Sequence, residues 1–111
     1  MTLKLLFILA LFFVQFNFGQ WTQIGSDING IAAQDRFADS EQLAISDDGT
    51  IIAVSAPEND SNGSRSGIVR VYKNSNNVWL QIGNDIKGVS SNLRFGKSID
   101  ISSDGTIIAV G

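Results

Sequence analysis

The sequence predicts an all-β chain assembled from a repeated unit of four short antiparallel strands. Three observations predict it. Leu43 to Val54 (LAISDDGTIIAV) is written again as Ile99 to Val110 (IDISSDGTIIAV), with nine of the twelve positions identical. Trp21 to Ser40 aligns with Trp79 to Ser98, and half of those twenty positions match, among them Trp21/Trp79, Gly25/Gly83, Gly30/Gly88, Arg36/Arg94 and Phe37/Phe95. After residue 20, no segment keeps a helical spacing of apolar residues for more than one turn. Trp79 follows Trp21 by 58 residues and Ile99 follows Leu43 by 56, so Glu41 and Gln42 read as a small insertion in the first copy. A period of this length is the mark of an array.

The first nineteen residues stand apart. Lys4 supplies a positive charge, Leu5 to Val14 is an unbroken run of ten apolar residues, and the polar stretch Gln15 to Gln20 carries the small Gly19. That is the layout of a secretory signal peptide spanning 1–19. Ten residues are half of the ~20 needed to cross a bilayer, so an uncleaved anchor is the poorer reading. The expected mature chain is secreted or displayed at the cell surface, with no membrane contact after cleavage.

Trp21 to Ile24 alternates large apolar with polar residues, a short half-buried strand. It matches the fourth strand of the repeat, so 20–42 reads as the last strand of a neighbouring unit plus a connection anchored by Ile28, Ile31 and Phe37. With no three strands before it, this segment is expected to complete a final three-stranded unit and so close the array. Residues 43–98 hold one whole unit and its outgoing connection. Strands are expected at about 43–46 and 51–55, with Asp48-Gly49 between them as a hairpin turn. Pro57 stops the second strand because it has no N–H to give a ladder. Glu58 to Ser66 contains no apolar residue and reads as a solvated loop. Strands follow at 67–72 and 78–82, separated by a turn at 74–77, and 99–111 begins the next, truncated unit. A four-stranded unit cannot bury both faces alone, and such units repeated radially make a β-propeller. A β-sandwich and a β-solenoid are the alternatives, but a solenoid would want shorter coils and a sandwich does not explain so long a period.

The residues also carry a resemblance. Phe95-Gly96-Lys97-Ser98-Ile99, the Asp-Gly turns, Ile52 to Pro57 (IAVSAP) and Ser66 to Tyr72 (SGIVRVY) together resemble FG-GAP-type repeats. These form the propeller blades of the integrin α-subunit head and of many secreted bacterial proteins. In the first copy the FG pair is Phe37-Ala38 and GAP is Ser55-Ala56-Pro57, and the second copy stops at Gly111. The resemblance covers essentially everything after residue 20. It implies a propeller, a binding or adhesion role and, in integrin-type blades, calcium held between the first two strands; the chain then reads as the N-terminal fragment of a longer array.

Composition narrows the chemistry. There is no cysteine and no histidine, so a cysteine nucleophile, the usual serine triad and an ordinary zinc site are absent. Without disulfides, burial must hold an exported chain together. The net charge is −3 and no basic run exists, which argues against nucleic acid as a partner. Asp47 and Asp48 are adjacent carboxylates, but a two-strand turn gives them no apolar wall, and turn chemistry accounts for them. Ca²⁺ takes six to eight oxygens, more than the short loops at Asp48 and Asp104 can wrap, so no metal is expected at either. Glu58, Asp60 and Asn62 place oxygens at alternate positions before Gly63, the one place where calcium is conceivable, although the closing acidic residue is lacking. Asn59 and Asn62 each open an Asn-x-Ser glycosylation pattern, read as coincidence in a polar loop. Trp21 and Trp79, at repeating positions, read as packing residues rather than sugar platforms.

The expectation is therefore a non-enzymatic, exported module for binding an extracellular protein or a glycan, with no cofactor and no catalytic residue. The alternative is a piece of a secreted enzyme or lectin whose site lies in other blades. In an up-and-down sheet successive connections leave from opposite ends, so 47–50 and 74–77 should share one end, and 56–66 and 83–98 the other. Long loops on a rigid scaffold collect binding residues. Arg36, Asp60, Asn62, Arg65 and Arg94 are accordingly the ligand-face candidates.

Overall fold

In the computed structural model, residues 19–111 are described. The signal-peptide reading of 1–19 thus falls, apart from Gly19, outside the described residues. Seven strands and no helix occur among them: β1 (Leu43–Ile45), β2 (Ile51–Ala56), β3 (Ile68–Ser75), β4 (Val78–Gln81), β5 (Ile86–Lys87), β6 (Ile99–Ile101) and β7 (Ile108–Val110). The first four form an antiparallel meander in chain order, β5 extends the β4 side of β3, and β6–β7 form a second antiparallel sheet.

The two Asp-Gly hairpins have the same construction. Gly49 N–H donates to the Ser46 carbonyl at 2.9 Å and Ser46 N–H to the Ile51 carbonyl at 2.9 Å. This leaves a four-residue loop in which Gly49 takes φ +72°, a region closed to most side chains. Gly105 repeats it at φ +73°. The β3–β4 connection is tighter than the sequence indicated. Ser75 pairs with Val78, so the turn is Asn76-Asn77 alone, both at positive φ (51° and 62°), as a two-residue hairpin of type I′ requires.

Alternation along β2 and β3 gives the first sheet two faces. Ile52, Val54 and Tyr72 share one, and Ile28, Phe37 and Trp79 pack against them. The preceding connection therefore lies over this face. Ile51, Ala53 and Ser55 share the other, which receives the next repeat: β6 lies against β1 and β2. Glycines mark the close approach. A methyl at Gly105 would meet the Ile51 side chain at 2.7 Å, and one at Gly96 would meet Ser55 Cβ at 2.6 Å. At the turn end, Asp47 N–H donates to the Ser103 carbonyl at 2.9 Å, joining the hairpins of successive repeats.

Three expectations are corrected. Residues 21–24 form no strand. They keep the local bonds of their counterparts: Gln23 Nε2 donates to Asp27 Oδ1, and Gln81 Nε2 to Asp85 Oδ1, both at 2.8 Å. What β4 has in addition is a partner, Tyr72–Ser75 of β3, and no segment among the described residues offers one to 21–24. Trp21 is consequently fully exposed. Second, the loop after Pro57 is not wholly solvated, since Asn59 (3 % exposed) and Ser66 (0 %) are buried. Burial is possible because their polar atoms are bonded: Ser66 Oγ donates to the Asn59 carbonyl, and Asn59 donates to Asp35. Third, the extra residues of the first copy are Ser40 and Glu41. Gln42 holds the place of Ser98, its carbonyl accepting from Ser55 N–H at 3.0 Å as that of Ser98 accepts from Gly111 N–H at 2.9 Å.

Candidate functional site

Three long segments meet at the end of the sheet opposite the hairpin turns. The stretch 88–96 is laced to 64–67 through main-chain bonds: Asn92 N–H to the Ser64 carbonyl (2.7 Å), Arg94 N–H to that of Arg65 (2.9 Å), Phe95 N–H to that of Ser66 (3.1 Å) and Gly88 N–H to that of Gly67 (2.9 Å). Gly67 makes this approach possible, since a methyl there would lie 2.1 Å from the Phe95 carbonyl oxygen. On the other flank, Glu58 N–H donates to the Asp35 carbonyl (3.3 Å) and Ala38 N–H to that of Ser55 (3.1 Å).

The backbone of the connection repeats residue for residue. Gln34, Arg36 and Ala38 take φ of 68°, 56° and 57°, and Asn92, Arg94 and Gly96 take 60°, 53° and 89°. Non-glycine residues visit this region rarely and at a cost, so a matched pattern is imposed by the surrounding bonds.

Glu58 is the pivot of the assembled end. Its side chain is 19 % exposed, and both oxygens face arginines: Oε2 lies 3.2 Å from Arg65 Nε and Oε1 3.2 Å from Arg94 Nε. Arg36 Nε pairs with Asp39 Oδ2 at 3.3 Å. Two clefts flank Glu58. One, of about 190 Å³, is lined by Arg36, Asp39, Glu41, Gln42, Arg94 and Lys97, among others. The other, of about 310 Å³, is lined by Gln34, Asp35, Asp60, Ser64 and Arg65 as well as Glu58.

Of the candidates read from the sequence, Arg36, Asp60, Arg65 and Arg94 thus lie around the two clefts. Asn62 is turned to structural use, its amide donating to the Gly88 carbonyl at 2.8 Å. The calcium candidates are engaged in separate directions. Glu58 faces two guanidinium groups, Asp60 Oδ1 accepts from Arg65 N–H at 2.7 Å, and Asn62 bonds Gly88. No group of three or more acidic side chains suited to a metal ion occurs among the described residues. Asn59 is buried against Asp35 Oδ2 at 2.6 Å and is inaccessible as a glycan acceptor.

At the turn end, Asp48 Oδ1 accepts from Thr50 N–H (3.0 Å), Thr50 Oγ1 (2.7 Å) and Ser46 Oγ (2.8 Å). These bonds, the Thr50 N–H foremost, hold its carboxyl below the usual aspartate range. Asp104 is lowered likewise, chiefly by the Thr106 hydroxyl and then its N–H. Both carboxylates serve as turn braces. Trp79 packs on the core and donates Nε1–H to the Ile24 carbonyl at 2.9 Å.

Sequence reasoning missed Asp35, Gln42, Glu58 as the ion-pair centre, and Lys97. The recurrence of Arg36 as Arg94 was a signal for one wall of the site. Nothing local marks Gln42 or Asp35, whose roles arise from folding the connection over the loop. Searches with family models, against curated proteins and against solved structures return no match.

Proposed function

We propose that this chain is part of an exported β-propeller-type array of FG-GAP-like blades, and that it works as a non-enzymatic binding or adhesion module. Its ligand, an extracellular protein or glycan, docks on the end formed by 34–42, 57–66 and 88–97. The observation that carries this reading is the convergence of these three segments on Glu58, which fixes Arg65 and Arg94 beside open polar clefts. A rigid scaffold presenting ordered loops is the usual setting for recognition. The radial arrangement is supported by the packing of consecutive sheets, in which one face of a repeat receives the next. A binding role also suits the carboxylates of this end: Glu58, Asp39, Asp60 and Asp35 each hold a structural partner.

The test is a panel of immobilised glycans and extracellular-matrix proteins probed with the secreted chain. Arg65→Ala combined with Arg94→Ala should weaken capture at least tenfold, whereas Asn77→Ala at the opposite end should leave it unchanged. Equal effects of the two variants, or loss only with Asn77→Ala, would overturn the assignment.

A further inference from the structure

One residue that lines the smaller cleft has an unexplained atom. Gln42 is 7 % exposed, and its Oε1 is buried without a hydrogen-bond partner among the described residues. An unmade bond of this kind is destabilising, and native structures rarely keep one without a reason. Gln42 lines the cleft together with the two residues that the first copy adds, Ser40 and Glu41. The second copy has Ser98 in the place of Gln42 and no equivalent of the pair, so the wall formed by Ser40, Glu41 and Gln42 is particular to the first copy.

The lining states what would fit. Arg36 and Arg94 each engage a carboxylate through Nε, on side chains 62 % and 45 % exposed. Lys97 adds a third cation, while Asp39, Glu41 and Glu58 balance the charge. A lining of zero net charge has no excess field for a dianion such as phosphate, but guanidinium forks match a single carboxylate in plane. The remaining groups, Ser40, Gln42 and three carboxylates, suit a ligand rich in hydroxyls, which both donate and accept. Pro57 is the one apolar side chain in the lining, little wall for the apolar residues of a peptide. At about 190 Å³ the space is below the ~300 Å³ typical of drug-sized pockets, which fits one sugar ring at a time.

We infer that the cleft bounded by Arg36, Gln42, Glu58, Arg94 and Lys97 binds a carboxylate-bearing saccharide, a hexuronate unit of an acidic glycan. The sugar carboxylate meets the Arg36 and Arg94 forks, and a ring hydroxyl donates to Gln42 Oε1 once the side-chain amide turns toward the cleft. This inference rests on the loop end being the binding end, and names its ligand.

Titration of the isotope-labelled chain with trigalacturonate, followed by NMR, tests it. The expected result is saturable shifts confined to 36–42, 58 and 94–97, with affinity reduced about tenfold by Arg36→Gln and about fivefold by Gln42→Leu. The neutral galactose trimer should bind at least tenfold more weakly, and inorganic phosphate and a glutamate-rich peptide should not compete. Competition by the peptide at equal concentration, equal binding of the neutral trimer, or no effect of Arg36→Gln and Gln42→Leu would each overturn the inference. If trigalacturonate fails while another glycan or protein is captured and lost with Arg65→Ala and Arg94→Ala, the uronate assignment falls and the loop-end reading stands. If nothing is captured at that end, both fall.

Discussion

Replacing Gly67 by alanine should detach the connection 88–96 from the sheet. Gly67 has φ +85°, and the added methyl would sit 2.1 Å from the Phe95 oxygen and 2.5 Å from its nitrogen, both main-chain atoms that cannot swing aside. Two effects combine. The left-handed conformation disfavours alanine by about 1–2 kcal/mol. Separating the strands also threatens the bonds from Gly88, Arg94 and Phe95 to Gly67, Arg65 and Ser66, at about 1 kcal/mol each. Gly83→Ala is the matched control, with φ +73° and nothing within 4 Å of its new methyl. The difference between the two variants is then the docking contribution, about 3 kcal/mol from those three bonds. In urea, with m near 2 kcal/mol/M, that is a midpoint difference of roughly 1.5 M. If the linker peels off before the sheet unfolds, the loss appears instead as fast amide exchange over 88–96. Gly67→Ala matching Gly83→Ala in both midpoint and exchange would refute the reasoning.

Asn59→Ala removes the amide donor to buried Asp35 Oδ2 and should destabilise by about 2–3 kcal/mol, measured by the same urea transition. Asp85 is paired bidentately with Arg70 (2.7 and 2.9 Å), and this bond, mainly, holds its carboxyl below the usual range. Because the folded-state value is the lower one, the pair's stabilisation is complete above the unfolded value near pH 4 and fades as pH falls through the depressed folded value. Asp85→Asn should therefore lower Tm at pH 7 and make no difference at the acid end; an equal drop at both would contradict it. At the type I′ turn, Asn77→Gly should be neutral or stabilising by up to ~1 kcal/mol, whereas Asn77→Val should destabilise by about 1–2 kcal/mol, read as Tm shifts.

The strands of the complete repeat were legible because their signals are local. Ile51 to Ala56 is an apolar run between Asp-Gly and Pro57, and the hairpin followed from Gly49. Trp21 to Ile24 carried the same local signal as Trp79 to Ile82 but formed no strand, since a strand also needs a neighbour. The connection was less legible. Positive φ at Arg36 and Arg94 has no signature in those side chains and comes from bonds to distant loops. Asn59 looked like any residue of a polar loop, and its burial depends on Asp35, twenty-four positions away. The arginines of the candidate site were readable because they repeat, but their shared partner Glu58 was not, since the ion pairs join segments that only the fold brings together.

The most direct test of the loop-end account is hydrogen–deuterium exchange on the chain with and without a ligand captured from the glycan and protein panel. The account predicts slowed exchange over 38–42, 58–65 and 92–97, with the hairpins at 47–50, 76–77 and 103–106 unchanged. Slowing at those hairpins, with the Glu58 end unaffected, would contradict it.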